Sequence, residues 1–219
     1  MKFDYSSHSP NRIEVFPFDV DHAKLRACFE KEVLPRPMIE RSPAFGGWSI
    51  LSNDGTYQNG MDLSYIGHNG PGNKGPSWFP KKPEHEGCLT VQDFDKPTEI
   101  CTGYIGEIVQ RLQDLGFHPR RGRIFRLRAR SETIWHVDAP STSYACRFHI
   151  PIITNPHCTL HYEDESFHMA PDGNAYLIDV SRKHMIQNRS DEHRYHLVIA
   201  VWDLRGITRF HKYDTKLPY

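Results

Sequence analysis

After Pro119 the apolar residues recur at every second position and go on doing so to Asp203, in the runs RIFRLRA, ETIWHVD, ACRFHIPII, CTLHYED, NAYLIDV and HRYHLVIAVWD, each bounded by turn residues. No helical spacing intervenes between these runs, so the crossover units of a parallel sheet are excluded. Successive strands must pair antiparallel, which predicts a sandwich or jelly roll. More than a third of the chain is therefore committed to a mainly β architecture before any single residue is considered.

The first half reads differently. RIEVFPF (12–18) alternates as a strand, and DVDHAKLRACFEKEVL follows with Leu25, Phe29 and Val33 at helical spacing, capped by Asp19 or Asp21. From Ala44 to Pro83 the pattern dissolves into Gly, Asn, Ser and Pro around isolated aromatics, and the segment reads as a lid or substrate loop, or equally as a surface excursion. Trp48, Tyr57, Tyr65 and Trp78 are its candidates for a substrate wall, or for small packing clusters. A second helix is expected between Thr98 and Leu115, with Ile105, Ile108, Leu112 and Leu115 in register and a stop at Gly116 and Pro119. The expected organisation is one domain over 1–219, with 1–119 as helical, loop-rich buttress and lid and 120–204 as the β core.

Charge and composition narrow the chemistry. Lys and Arg number 27 against 27 Asp and Glu, so the chain as a whole carries no electrostatic bias towards nucleic acid. The start, MKFDYSSHSP, has no apolar run after Lys2, and no apolar stretch approaches the ~20 residues of a membrane span. A cytoplasmic, membrane-free protein is expected. Cys28, Cys88, Cys101, Cys146 and Cys158 form no CxxC pair and read as reduced thiols. Fourteen histidines make a metal site the first thing to look for.

Trp135-His136-Val137-Asp138 carries the strongest signal. In an extended strand residues i and i+2 project from one face, so His136 and Asp138 can converge on one ion. His184 arrives several strands later, after AYLIDV. Two histidines and a carboxylate are the ligand set of the facial triad of non-haem Fe(II) oxygenases, which leaves positions open for a cosubstrate. Arg194 opens the closing strand and shares a face with His196, Val198 and Ala200. Arg147 and His149 share a face two strands earlier. An arginine beside an iron site needs an anion, which a planar guanidinium binds through two parallel hydrogen bonds.

The span from Arg123 to Asp203 resembles the aspartyl/asparaginyl β-hydroxylase family of Fe(II)- and 2-oxoglutarate-dependent dioxygenases, which includes bacterial proline hydroxylases. The shared elements are His136, RFH at Arg147–His149, DGNAYLID, and HMIQNRSDEHR from His184 to Arg194. The resemblance implies a double-stranded β-helix, a cupin-like jelly roll with flanking helices. It implies that His136, Asp138 and His184 bind Fe(II), that Arg194 grips the far carboxylate of 2-oxoglutarate, and that His149 and Arg147 are further contacts to cosubstrate or substrate. Asp138 is a departure from the animal aspartyl hydroxylases, which lack that carboxylate, and brings the chain closer to bacterial members with a full triad. The implied reaction consumes O2 and 2-oxoglutarate, releases succinate and CO2, and hydroxylates an amino acid or amino-acyl side chain, free or in a peptide.

Other signals carry less. HYEDESFH, with His161, Glu163, Asp164, Glu165 and His168, is a rival metal cluster that reads better as a solvated hairpin. Gly70–Gly75 matches GxGxxG without the strand and helix a dinucleotide site requires, and Asn188-Arg189-Ser190 is a glycosylation sequon by pattern alone. RRGRIFRLRAR places six arginines between Arg120 and Arg130. Arg126, Arg128 and Arg130 are expected on one face, and Phe125, Leu127 and Ala129 on the other. This cationic strand supports a competing reading, a β-rich nucleic-acid-binding module. A third reading, a cupin-like metal-binding protein without oxygenase activity, has no use for Arg194.

Overall fold

The computed structural model describes residues 13–61, 89, 93–136, 146–180 and 183–202. Strands β1 (Ile13–Pro17), β2 (Ile39–Ser42), β3 (Phe45–Ser49), β4 (Leu51–Ser52), β5 (Lys96–Pro97) and β6 (His118–Leu127) come first, with helices α1 (His22–Cys28) and α2 (Gly103–Asp114) among them. Then follow β7 (Ser131–Glu132), β8 (Cys146–Ile153), β9 (Cys158–Tyr162), β10 (Ser166–Phe167), β11 (Asn174–Asp179), β12 (His184–Asn188) and β13 (Arg194–Trp202).

One sheet has the order β1-β11-β8-β13-β6-β3-β2 and the other β10-β9-β12-β7, while β4 and β5 pair separately. From β6 onward the chain alternates between the large and small sheets except at the β9–β10 hairpin, which lies wholly in the small one, and every pairing is antiparallel. This is the jelly roll that the two-residue period predicts. The sheet also takes in β1, β2 and β3, so the first 119 residues supply strands as well as buttressing helices.

The helices cover one face of the large sheet. Asp21 caps α1 by accepting from the Lys24 amide at 3.0 Å. The helix then widens into a π turn, Phe29–Val33, closed by the Leu34 amide on the Phe29 carbonyl at 2.9 Å. Leu25, Phe29 and Val33 all end up fully buried, as their spacing predicts. Helix α2 begins at Gly103, later than Thr98, because Thr98 donates its hydroxyl to the Ser49 carbonyl and residues 99–100 form a turn. Ile105, Ile108 and Leu112 pack beneath it against Ile124, Phe148, Ile150, Leu197 and Ile199 of the sheet. Arg111 locks the arrangement by donating to the Phe18 and Asp19 carbonyls with its guanidinium 4.4 Å from the Phe18 ring.

Two expectations need correction. The segment from Ala44 does not begin as a loop: β3 is an interior strand between β2 and β6. Its glycines are required by proximity, since a Cβ on Gly47 would lie 2.0 Å from the Ile124 carbonyl oxygen. Trp48 and Tyr57 are buried in the helix-side core, Trp48 against Phe29 and Tyr195, and wall no substrate site. Tyr65, Trp78, Gly70–Gly75 and the rest of the segment to Pro83 lie outside the described residues.

The arginine-rich strand is also different from its reading. Arg121 adopts φ +44, and the register with β13 shifts between Val198 and Ala200, a bulge that resets the alternation. Arg121 and Arg123 are buried, and the strand ends at Leu127, with Arg130 at φ +52 beyond it. Arg126 and Arg128 reach Glu40 at 3.0 and 3.6 Å, Arg130 reaches Asp191 at 2.5 Å, and Arg120 approaches Asp95 at 3.9 Å. Among the described residues Arg120, Arg126, Arg128 and Arg130 meet acidic partners while Arg121 and Arg123 are buried, so the run is not the simple alternating strand expected. No helix among the described residues is long and apolar enough to cross a membrane.

Replacing Gly47 with Ala forces β3 and β6 apart. Urea unfolding should show a loss of about 3 kcal/mol, and an unchanged midpoint would contradict the close approach of the two strands.

Candidate functional site

Residues directly opposite one another in an antiparallel pair project to the same side. The register therefore fixes what the large sheet turns away from the helices and into the barrel. On β13 Arg194, His196 and Val198 lie opposite Leu127, Phe125 and Arg123 of β6. On the other flank Val198 and Ala200 lie opposite His149 and Arg147 of β8, which in turn face Tyr176 and Ile178 of β11. The small sheet contributes its own inward row, because His184, Ile186 and Asn188 of β12 lie opposite Tyr162, Leu160 and Cys158 of β9.

The interior is thus divided by chemistry. Leu160, Tyr162, Met169, Tyr176, Ile178 and Val180 form one apolar cluster spanning both sheets. Met61, Phe125 and Val198 form another, joined by Ile39 and Phe45. Between and around them sit the buried polar groups His149, His184, Asn188, Arg194 and His196. Arg147, half-buried, shares the face of His149. Arg147 and His149 thus share the sheet face of Arg194, opposite residues six and four positions along β13 from it.

Arg194 is 2% exposed and has no acidic partner among the described residues. Its Nη2 donates to Nδ1 of His196 at 2.7 Å. Burial pulls its pKa down to about 10, which still leaves it a cation at neutral pH. An enclosed charge without an acidic partner among the described residues costs several kcal/mol, and an anion bound beside it would offset that cost.

His136 and His184 meet at the other end of the interior. They exchange both backbone hydrogen bonds, each at 2.9 Å, in an isolated antiparallel bridge, and their ring centroids are 4.5 Å apart. Nδ1–H of His136 donates to the Ile134 carbonyl at 2.7 Å, which orients the ring and leaves Nε2 as the nitrogen that could take a metal. Two imidazoles holding one ion at right angles, with bonds of about 2.1 Å, would have their rings roughly 4 to 5 Å apart. The pair fits a shared metal ion. Asp138 lies outside the described residues, and among those described no group of three His, Cys, Asp or Glu forms a metal cluster. Just before His136, Ile134 and Trp135 stand out into solvent, with Lys183 5.8 Å above the indole, and form the rim of the site.

The rival cluster resolves into the hairpin of β9 and β10. His161 turns outward to Thr159, and Glu163 pairs with Lys183 at 3.0 Å. A residue without a role in the sequence reading proves central. Asn188 is 1% exposed. Its Nδ2 donates to the carbonyls of Arg128 and Glu192 at 3.0 and 2.7 Å, while Oδ1 accepts from the Ser190 amide and hydroxyl and from the Cys158 thiol. It ties the end of the strand bearing His184 to the turn that launches the strand bearing Arg194. In the sequence Asn188 appears only within the shared HMIQNRSDEHR segment and in a glycosylation sequon, and neither assigns it this structural role.

Residues 96–203 match the family described as Aspartyl/Asparaginyl beta-hydroxylase. Among solved structures, an oxidoreductase of the 2OG-Fe(II) oxygenase family from Burkholderia pseudomallei is similar at 14% identity over 87% of this chain and 84% of that one, with a TM-score of 0.49. A prolyl hydroxylase from Trichoplax adhaerens, in complex with a hypoxia inducible factor peptide fragment, is 12% identical over 94% and 90% of the two chains, with a TM-score of 0.47. A cupin domain from Bordetella pertussis is 20% identical over 39% of this chain and 82% of its own, with a TM-score of 0.32. No curated protein matches the chain.

Asn188→Ala removes the tie between the two site-bearing strands and leaves buried partners unmatched. It should cost about 3 kcal/mol in denaturant unfolding, and retention of full stability would show that the network is dispensable.

Proposed function

We propose, from the match of residues 96–203 to the aspartyl/asparaginyl β-hydroxylase family, that the chain is an Fe(II)- and 2-oxoglutarate-dependent dioxygenase acting on an amino acid or amino-acyl side chain, free or within a peptide. The observation that carries this reading is the enclosed Arg194, a cation with no acidic partner among the described residues, on the inward face of a barrel whose other sheet presents His184.

His136 and His184 would hold the iron, with Asp138, two residues after His136, assigned as the third ligand. Bound iron and 2-oxoglutarate would supply oxidative decarboxylation to succinate and CO2, coupled to hydroxylation of an unactivated C–H bond. The residues of the chain do the positioning. Arg194 neutralises the distal carboxylate of the cosubstrate, and the His136 ring is held in its ligating tautomer by the Ile134 carbonyl. Tyr162, Tyr176, Leu160 and Ile178 line the barrel with apolar surface that keeps water out, which strengthens each charge interaction inside it. His149 and Arg147 are assigned to the cosubstrate or substrate on the same inward face. A cupin-like protein that only binds metal would carry the histidines without enclosing a guanidinium, so Arg194 separates the two readings.

The test is a screen of amino acids and short peptides for stimulated succinate formation from 2-oxoglutarate with Fe(II) and O2. A subset of substrates should stimulate turnover. Replacing Arg194 with Leu should raise the dissociation constant for 2-oxoglutarate roughly a hundredfold, in line with truncating a buried charge pair, while bound metal stays unchanged. Unaltered 2-oxoglutarate binding in that variant would contradict the assignment, whereas equal loss of metal and cosubstrate would indicate misfolding.

A further inference from the structure

Strands β7 and β12 change register before they reach the histidine pair. Ser131 and Glu132 lie opposite Asn188 and Gln187, and the same count carried on would set Thr133 opposite Ile186, Ile134 opposite Met185 and Trp135 opposite His184. The bridge instead joins His136 to His184. Residues 133–135 therefore span what 185 and 186 span on the partner strand, one residue more. Thr133 keeps the first register, since its amide donates to the Ile186 carbonyl at 2.9 Å. Ile134 and Trp135 together oppose Met185, which is a β-bulge.

The extra residue decides which way His136 points. Opposite residues project to one side of a sheet, and a slip of one residue exchanges the sides. His184 and Ile186 point inward, so in the unbroken register Trp135 would enter the barrel and His136 would turn to the outer face. With the bulge, Ile134 and Trp135 share the outward row and His136 returns to the face of His184. The exposures agree, with Ile134 82% and Trp135 43% exposed and His184 buried. The bulge has a second effect. A bulged residue is left out of the ladder, and the carbonyl that accepts from Nδ1–H of His136 is that of Ile134.

Thr133 stands where the bulge begins. A closely spaced antiparallel pair exchanges two backbone hydrogen bonds, as His136 and His184 do. At Thr133 the exchange is altered: its amide donates to the Ile186 carbonyl, while the Ile186 amide donates to the Thr133 hydroxyl at 2.9 Å. The side-chain acceptor keeps Ile186 satisfied while the chain turns out of the ladder into Ile134. We propose that Thr133 is a positioning residue for the metal ligand His136: its hydroxyl fixes the bulge that sets the imidazole on the face of His184 and leaves the Ile134 carbonyl to orient the ring. The inference rests on the reading of His136 and His184 as metal ligands and adds to it a residue that touches neither metal nor cosubstrate. A valine at 133 would keep the branched shape that suits a strand and lose only the acceptor.

The experiment titrates the full chain with Co(II) in place of iron and reads both affinity and the visible absorption of the bound ion, which reports its coordination. Thr133→Val should weaken Co(II) binding roughly tenfold, the lower end of the cost of losing support behind a metal-bound histidine, and should change the spectrum. Thr133→Ser, which keeps the hydroxyl, should restore affinity and spectrum together. A role confined to stability would lower the thermal midpoint of the Val variant and leave Co(II) affinity and spectrum as in wild type. That result would overturn the inference while the metal assignment stands, as would a Ser variant no better than the Val variant. Thr133→Ala carries the same comparison if the Val variant does not fold. His136→Ala tests the premise separately: a wild-type chain that binds no Co(II), or a His136→Ala variant that binds it equally well, would remove His136 as a ligand and the inference with it.

Discussion

A guanidinium sealed inside a barrel with no carboxylate to meet it is the constraint around which the rest of this molecule is arranged. Arg194 stands at the start of β13, between β8 and β6, where solvent cannot reach it and no acidic side chain among the described residues does. Burying an unpaired charge opposes folding by several kcal/mol. The apolar surface gathered on the helix face of the same sheet, from Leu25 and Phe29 through Ile105, Ile108 and Leu112 to Leu197 and Ile199, offsets that cost. The stable face of the sheet thus sustains the unstable one.

The alternation of a strand lets one element serve both faces. On β13, Leu197 and Ile199 belong to the helix-side core while Arg194, His196 and Val198 belong to the interior. The same division runs along β8, with Phe148 and Ile150 on one side and Arg147 and His149 on the other. His184 comes from the opposite sheet, and Asn188 fixes the turn between the strands of His184 and Arg194. The strands of His184 and Arg194 are therefore joined by five residues of ordered chain, 189–193, as well as by the barrel itself.

Much of this was legible in the sequence where period two was clean. The alternation of RYHLVIAVW and RFHIPII settles which residues of β13 and β8 face inward without any knowledge of their neighbours. The failures have physical causes. HMIQN does not alternate, since Met185 and Ile186 are adjacent apolar residues, so β12 was not expected as a strand. The Gly46-Gly47 pair resembled loop chemistry because glycine signals flexibility locally, whereas its reason here is the closeness of the Ile124 carbonyl across the sheet. The bulge at Arg121 hid a buried pair, Arg121 and Arg123, within a run that looks uniformly solvated. The hydrogen bonds of Asn188 join three separate stretches of chain, at Arg128, Cys158 and 188–192, and leave no local trace, and Asp138 of the expected triad lies outside the described residues.

The most direct test compares two keto acids that differ only at the end Arg194 is held to receive. In thermal unfolding of the Mn(II)-loaded protein, 2-oxoglutarate should raise the midpoint in a concentration-dependent way, by an amount equivalent to about 2.7 kcal/mol at a hundred times its dissociation constant. 2-Oxopentanoate, with a methyl group in place of the distal carboxylate, should leave the midpoint nearly unmoved at the same concentration. Equal stabilisation by the two acids, or none by either, would contradict the claim that this enclosed arginine exists to bind a dicarboxylate.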